Sequence, residues 1–233
     1  MKKHKIILSI LMLAIFLTYF PLITAKAYTT TKINTSTNNK YGILVDLTEL
    51  RLYLIDNDTH AIVKEYPVAG GKESTPSPIG TWNIINKESG WGKGFGTRWM
   101  QLGVPWGRYG IHGTNKPLTI GGAESLGCIR MFNEDVENLY KYVDCGTIVV
   151  IYGGPYGLYW NKFRTLLPGD TGGDVYEVQR RLMHRGYYTG ILDGIYGEGM
   201  KSCIIKFRKD NKLSITHDID KEFYNAIGMK PFE

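Results

Sequence analysis

The sequence predicts a mainly β domain followed by a small bundle of three helices. Two observations carry this. In the first half, apolar residues fall in short β-rich runs punctuated by Gly and Pro. Beyond residue 165 their period becomes helical. With 43% apolar and 21% charged residues among 233, the composition is that of a folded chain long enough for two small domains.

Residues 1–27 begin with Lys2, Lys3 and Lys5, continue in an apolar run from Ile6, break at Pro21 and end in the triplet Ala25-Lys26-Ala27. This pattern predicts an export signal cleaved after Ala27 and a secreted body. Retention as a membrane anchor is the alternative, since about 20 apolar residues span a bilayer. The segment holds four lysines and no acid, so without it the net charge falls from +6 to +2. That residual charge gives no reason to expect a nucleic-acid partner.

Residues 28–40, rich in Thr and Asn, read as a flexible spacer. The first domain is expected over 41–152. It opens with two β-rich runs around the turn Asp56-Asn57-Asp58, followed by loops marked by Pro76, Pro78 and Gly80. Val136, Leu139, Tyr140 and Val143 then recur at helical spacing, with Asn133 placed to cap and Gly146 to terminate. The run TIVVIYG closes the domain as a strand.

A linker over 153–164 leads to the second domain, 165–233. There Val175, Val178, Gln179 and Leu182 form one helix face and Met200, Cys203, Ile204 and Phe207 another, and DIDKEFYNAIG supplies a third helix. So few residues make a minimal core, better suited to docking than to catalysis.

Three cysteines, Cys128, Cys145 and Cys203, do not make a disulfide framework in an exported chain. Cys145, at a helix end, and Cys203, on an apolar face, read as core residues. Cys128 differs. It follows His112 by 16 residues within YGIHGTNKPLTIGGAESLGCIRM, a Gly-rich loop setting. Taken alone, each of the two reads equally well as a buried, satisfied side chain. Together they point to thiol chemistry, in which an imidazole takes the proton and stabilises the ion pair. Gly127 lets backbone amides approach an oxyanion, and Arg130 is placed to hold a carboxylate.

The His-before-Cys order disfavours papain-like and NlpC/P60-like peptidases. The histidines left for a metal, His60, His112, His184 and His217, show no H-E-x-x-H pattern, so neither a metal nor another cofactor is expected. The glycines form no phosphate-binding loop. Of the aromatic residues Trp82, Trp91, Phe95, Trp99, Trp106 and Tyr109, core packing accounts for most, and Tyr109 is singled out as a site wall.

From Tyr41 to Tyr152 the chain resembles the L,D-transpeptidase catalytic domain, also called the YkuD domain. The resemblance rests on ILVDLTELRLYLI, STPSPIGTWNI, GFGTRWM, IHGTNKPLTIG and SLGCIRM. It implies a β-sandwich with a short helix beside the site, Cys128 as nucleophile and His112 as base, held by the carbonyl of Gly113. It also implies an oxyanion hole around Gly127 and Cys128, and Arg130 matches the family's arginine after the cysteine; Ser125, Arg130 and Tyr109 are expected on the substrate side. Leu126 departs from the His or Lys usual in the S-x-G-C motif. The segment from Leu166 to Leu213 resembles a type 1 peptidoglycan-binding domain, with Met200 and Arg208 where Thr and Gln are usual.

The function so implied is a cofactor-free acyl transfer on the peptidoglycan of the cell wall. Cys128 would displace D-Ala from a tetrapeptide stem, and a stem amine would then complete a 3→3 cross-link. An L,D-carboxypeptidase with water as acceptor and a non-catalytic wall-binding protein are the alternatives.

Overall fold

The computed structural model describes residues 39–90, 92–153 and 163–229. The expected signal segment, nearly all of the spacer, Trp91 and most of the linker lie outside the described residues.

Strands β1 (Tyr41–Asp46), β2 (Arg51–Asp56) and β3 (Ile62–Pro67) pair antiparallel in chain order. The first of the two expected β-rich runs is therefore two strands. Asp46 Oδ1 accepts the N–H groups of Thr48 (2.8 Å) and Glu49 (3.1 Å) and turns the chain back, with Leu50 at φ 55°. Strict alternation then buries Leu52 and Leu54 while Tyr53 faces outward.

Strands β5 (Gly80–Ser89), β6 (Arg98–Leu102), β7 (Tyr109–His112), β9 (Ile129–Arg130) and β10 (Ile148–Tyr152) complete an eight-stranded sheet in the order β3-β2-β1-β10-β5-β6-β7-β9. β4 (Gly70–Gly71) and β8 (Ala123–Ser125) form a separate parallel pair. The sandwich is thus one sheet that folds over at β5. Gly80 to Asn83 pair with β10, Ile84 to Ser89 pair with β6, and the register shifts between Ile84 and Asn86. Both halves feed one core: Ile43, Leu52, Leu54 and Val149 from one, Met100, Leu102, Ile111 and Ile129 from the other. Each such side chain contributes about 1.5–3 kcal/mol on burial.

Helix α1 (Asn133–Tyr140) packs Val136 and Leu139 into the same core. Asn133, expected to cap it, is instead its first helical residue, and its Oδ1 accepts the N–H of Thr97 at 3.2 Å. Lys87 Nζ donates to the carbonyls of Tyr140 (2.9 Å) and Val143, satisfying groups at the far end.

Helices α2 (Gly173–His184), α3 (Glu198–Asp210) and α4 (Lys221–Ile227) enclose a second core of Leu166, Val175, Val178, Leu182, Tyr196, Met200, Ile204, Phe207 and Phe223. Asp220 caps α4 by accepting the N–H of Phe223 at 3.0 Å. Arg208 is fully buried, and its guanidinium meets Asp220 (2.6 Å), Glu222 (2.9 Å) and the carbonyls of Ser214 and Asp218. A buried charge is tolerated because every edge of the fork is met. Neither spare cysteine is a core residue: Cys145 is exposed, in the loop after α1, and Cys203 is half-buried at the edge of the α3 face.

Candidate active site

The site forms where β7 and β9 run side by side. Their register pairs Ile111 with Ile129 and His112 with Arg130. Both isoleucines are fully buried in the core, so His112 and Arg130 face the opposite way. Cys128 lies directly before β9, and its sulfur meets the backbone amide of Gly110, two residues before His112 on β7.

His112 is itself buried, at 3% exposure, beneath aromatic rings. Trp99, its register partner on β6, lies 5.5 Å away between ring centroids, and the edge-on Phe95 ring lies 5.0 Å away. The imidazole Nδ1 faces Gly113 O at 2.5 Å, which assigns the proton of the neutral ring to Nδ1 and makes Nε2 its acceptor. Burial pushes the imidazole pKa down to about 4, and the Arg130 charge adds to this, against the opposing pull of the Gly113 and Phe95 carbonyls. At neutral pH His112 is therefore an uncharged base.

Burial also pushes the Cys128 thiol up, opposed by the Gly110 backbone amide and the charge of Arg130. The pair rests as thiol and imidazole. Among the described residues no hydrogen bond joins the two side chains, and the sulfur's partner is Gly110.

The turn before Cys128 is pinned by Ser125, whose hydroxyl donates to Cys128 O at 2.6 Å and accepts the Gly127 N–H at 3.0 Å. Ser125, expected on the substrate side, is 1% exposed and shapes the nucleophile's turn instead. Gly127 adopts φ 110°, and a methyl group there would come within 2.7 Å of Tyr109 Cε1 and 3.1 Å of Pro76 O. Because Ser125 takes the Gly127 N–H, only one of the two amides expected in the oxyanion hole stays open. Among the described residues the Cys128 N–H has no acceptor.

Leu126, beside this turn, is 75% exposed. Arg130 exchanges backbone hydrogen bonds with Ala69 at 2.9 and 3.0 Å, and among the described residues no acid pairs with its guanidinium. Gly113 donates its N–H to Arg98 O at 3.1 Å. The face therefore offers a thiol, a neutral base, one open amide and a cation, the set that acyl transfer from a carboxylate-bearing peptide requires.

Sequence reasoning did not single out Phe95 and Asn133 as site residues. Asn133 Oδ1 ties the loop carrying Phe95 to α1 through Thr97. The run GFGTRWM was the available signal.

A family model described as "L,D-transpeptidase catalytic domain" matches residues 40–151, and one described as "Putative peptidoglycan binding domain" matches 171–227. The chain is 45% identical over 111 residues to the "Putative L,D-transpeptidase YkuD" of Bacillus licheniformis, a match covering 48% of the chain and 65% of that protein. It is 32% identical over 126 residues to the "Putative L,D-transpeptidase YqjB" of Bacillus subtilis, covering 48% of the chain and 70% of that protein. The solved catalytic domain of the E. faecium L,D-transpeptidase aligns at 24% identity with a TM-score of 0.42, over 49% of this chain and 98% of that one.

Proposed function

We propose that this chain, which belongs to the L,D-transpeptidase (YkuD) family, is a secreted cell-wall enzyme that transfers acyl groups between peptidoglycan stem peptides through Cys128. The observation that supports this reading is the β7–β9 register, which pairs His112 with Arg130, together with the contact of the Cys128 sulfur with the Gly110 backbone two residues before His112.

In this reading Arg130 holds a stem carboxylate while Cys128 Sγ attacks the carbonyl of the third stem residue. As the S–C bond forms, the thiol proton passes to His112 Nε2, and the Cys128 N–H receives the developing oxyanion. The tetrahedral intermediate collapses with cleavage of the C–N bond, and His112 returns the proton to the departing D-Ala amine. Attack by a neighbouring stem amine on the thioester then gives the 3→3 cross-link and restores the thiol. A resting thiol–imidazole pair without a direct hydrogen bond implies that substrate binding closes the gap between them. The C-terminal domain keeps the enzyme on its polymer.

The test is mass spectrometry of products after incubating the purified chain, or its Cys128→Ala variant, with disaccharide-tetrapeptide. Cysteine-dependent dimers lacking one D-Ala are expected. Tripeptide monomer alone makes the enzyme a carboxypeptidase, and intact tetrapeptide with several acceptors leaves wall binding as the function.

A further inference from the structure

We propose, building on the acyl-transfer reading above, that the C-terminal domain is a positioning part of the active centre. Docked on Trp106 and Ile79, it holds the Gly127 turn that presents Cys128. The described residues of both domains belong to one compact unit. A domain serving only as a tether needs no such fit.

The contact is built around Trp106, in the loop between β6 and β7. Tyr176 of α2 packs against Trp106 and Trp82 at centroid distances of 5.8 and 5.7 Å, and the two tryptophans meet edge to face at 5.2 Å. Gly194 lies directly against the Trp106 ring at φ 67°, where an added methyl group would overlap Cε3. A methyl on Gly173 would come within 3.3 Å of Ile79 O. Two glycines of one domain thus let its backbone close onto the other.

From this contact two struts lead to the nucleophile's turn. Along the first, Trp106 packs on Tyr109 at 6.4 Å, and the Tyr109 ring in turn lies against Gly127. The second is the segment from Pro76 to Ile79. Its carbonyls meet Gly127 at one end and Gly173 at the other. Between those ends it is pinned by Trp82 Nε1 donating to Pro78 O at 2.8 Å and by Gly71 N donating to Ser77 Oγ at 2.9 Å. Removing the C-terminal contact takes one support from each strut and leaves the supports from Trp82 and Gly71 in place.

Two substitutions confined to the C-terminal domain test this. Gly194→Val sets a side chain against the Trp106 ring and also strains its own loop, so the second variant isolates the contact. Tyr176→Ala removes the facing ring from a position outside the domain's own core. Hydrogen exchange across residues 123–131 reads the turn, and acyl-enzyme formation with soluble disaccharide-tetrapeptide reads the chemistry. Alkylation of Cys128 by iodoacetamide, which develops no oxyanion, serves as the control.

Faster exchange at the turn and acylation slowed by about tenfold or more are expected, since a 1 Å misplacement can cost about a hundredfold. Alkylation should not be slowed. Exchange and acylation both unchanged in the two variants would overturn the inference and leave the domain a simple tether. If the turn loosens while even the unsubstituted chain forms no acyl-enzyme, the docking role stands and the acyl-transfer reading falls.

Discussion

Lowering the pH should destabilise the first domain through His112. The imidazole is held at about 4 in the fold against an ordinary value of 6.5, chiefly by burial. Between those values the unfolded chain binds a proton that the folded one does not, so stability is lost as pH falls from above 6.5 and the loss is complete below 4. Between pH 7 and pH 4, where the folded imidazole is itself half protonated, this amounts to roughly 3 kcal/mol.

Carboxylates titrate over part of the same range, so the assay is a difference: urea unfolding of the chain and of its His112→Gln variant at pH 7, 5.5 and 4. The gap between the two unfolding free energies should change by about 3 kcal/mol from pH 7 to pH 4, with the unsubstituted chain losing more. Parallel curves would refute the reasoning. So would an imidazole found by NMR to titrate above 6.5, because that is the signature of an ion pair with a Cys128 thiolate.

The same neutral pair predicts that alkylation of Cys128 by iodoacetamide accelerates only through alkaline pH, the thiol being pushed up by burial; a flat rate across neutral pH would show a thiolate already present. Ser125→Ala leaves the Gly127 N–H and the Cys128 carbonyl without their shared hydroxyl, so urea unfolding should show a loss of about 1–3 kcal/mol, and a change under about 0.5 kcal/mol would mean the turn holds without it. Arg208→Met strands Asp220 and Glu222, but both remain partly exposed, so calorimetry should show the C-terminal domain destabilised by no more than about 3 kcal/mol; an unchanged melting temperature would mean the buried ion pairs are energetically neutral.

The second domain was the more legible half. Val175, Val178 and Leu182 on α2, and Met200, Ile204 and Phe207 on α3, occupy the core at the helical spacing that announces them. The turn after Asp46 was hidden because it contains neither Gly nor Pro; a single aspartate oxygen supplies the reversal. Asn133 has the residue type of a cap, but its amide oxygen is claimed by Thr97, 36 residues earlier, a tertiary demand that local pattern does not carry.

At the site, the pairing of Cys128 with His112 was readable from residue type and motif, whereas their charge states were not. Those follow from burial beneath Trp99 and Phe95, which exists only once β6, β7 and the preceding loop are assembled. Ser125 is a similar case. The motif names it, but only the fold shows that its hydroxyl faces the backbone of the turn.

The central claim is that Cys128 carries the acyl group. Intact-protein and peptide mass spectrometry of the chain, quenched in acid shortly after mixing with disaccharide-tetrapeptide, tests it most directly. The account predicts an adduct equal to the donor less D-Ala, carried on the peptide that contains Cys128 and missing from Cys128→Ala. An adduct on Cys145 or Cys203, or turnover that survives in Cys128→Ala, would contradict it.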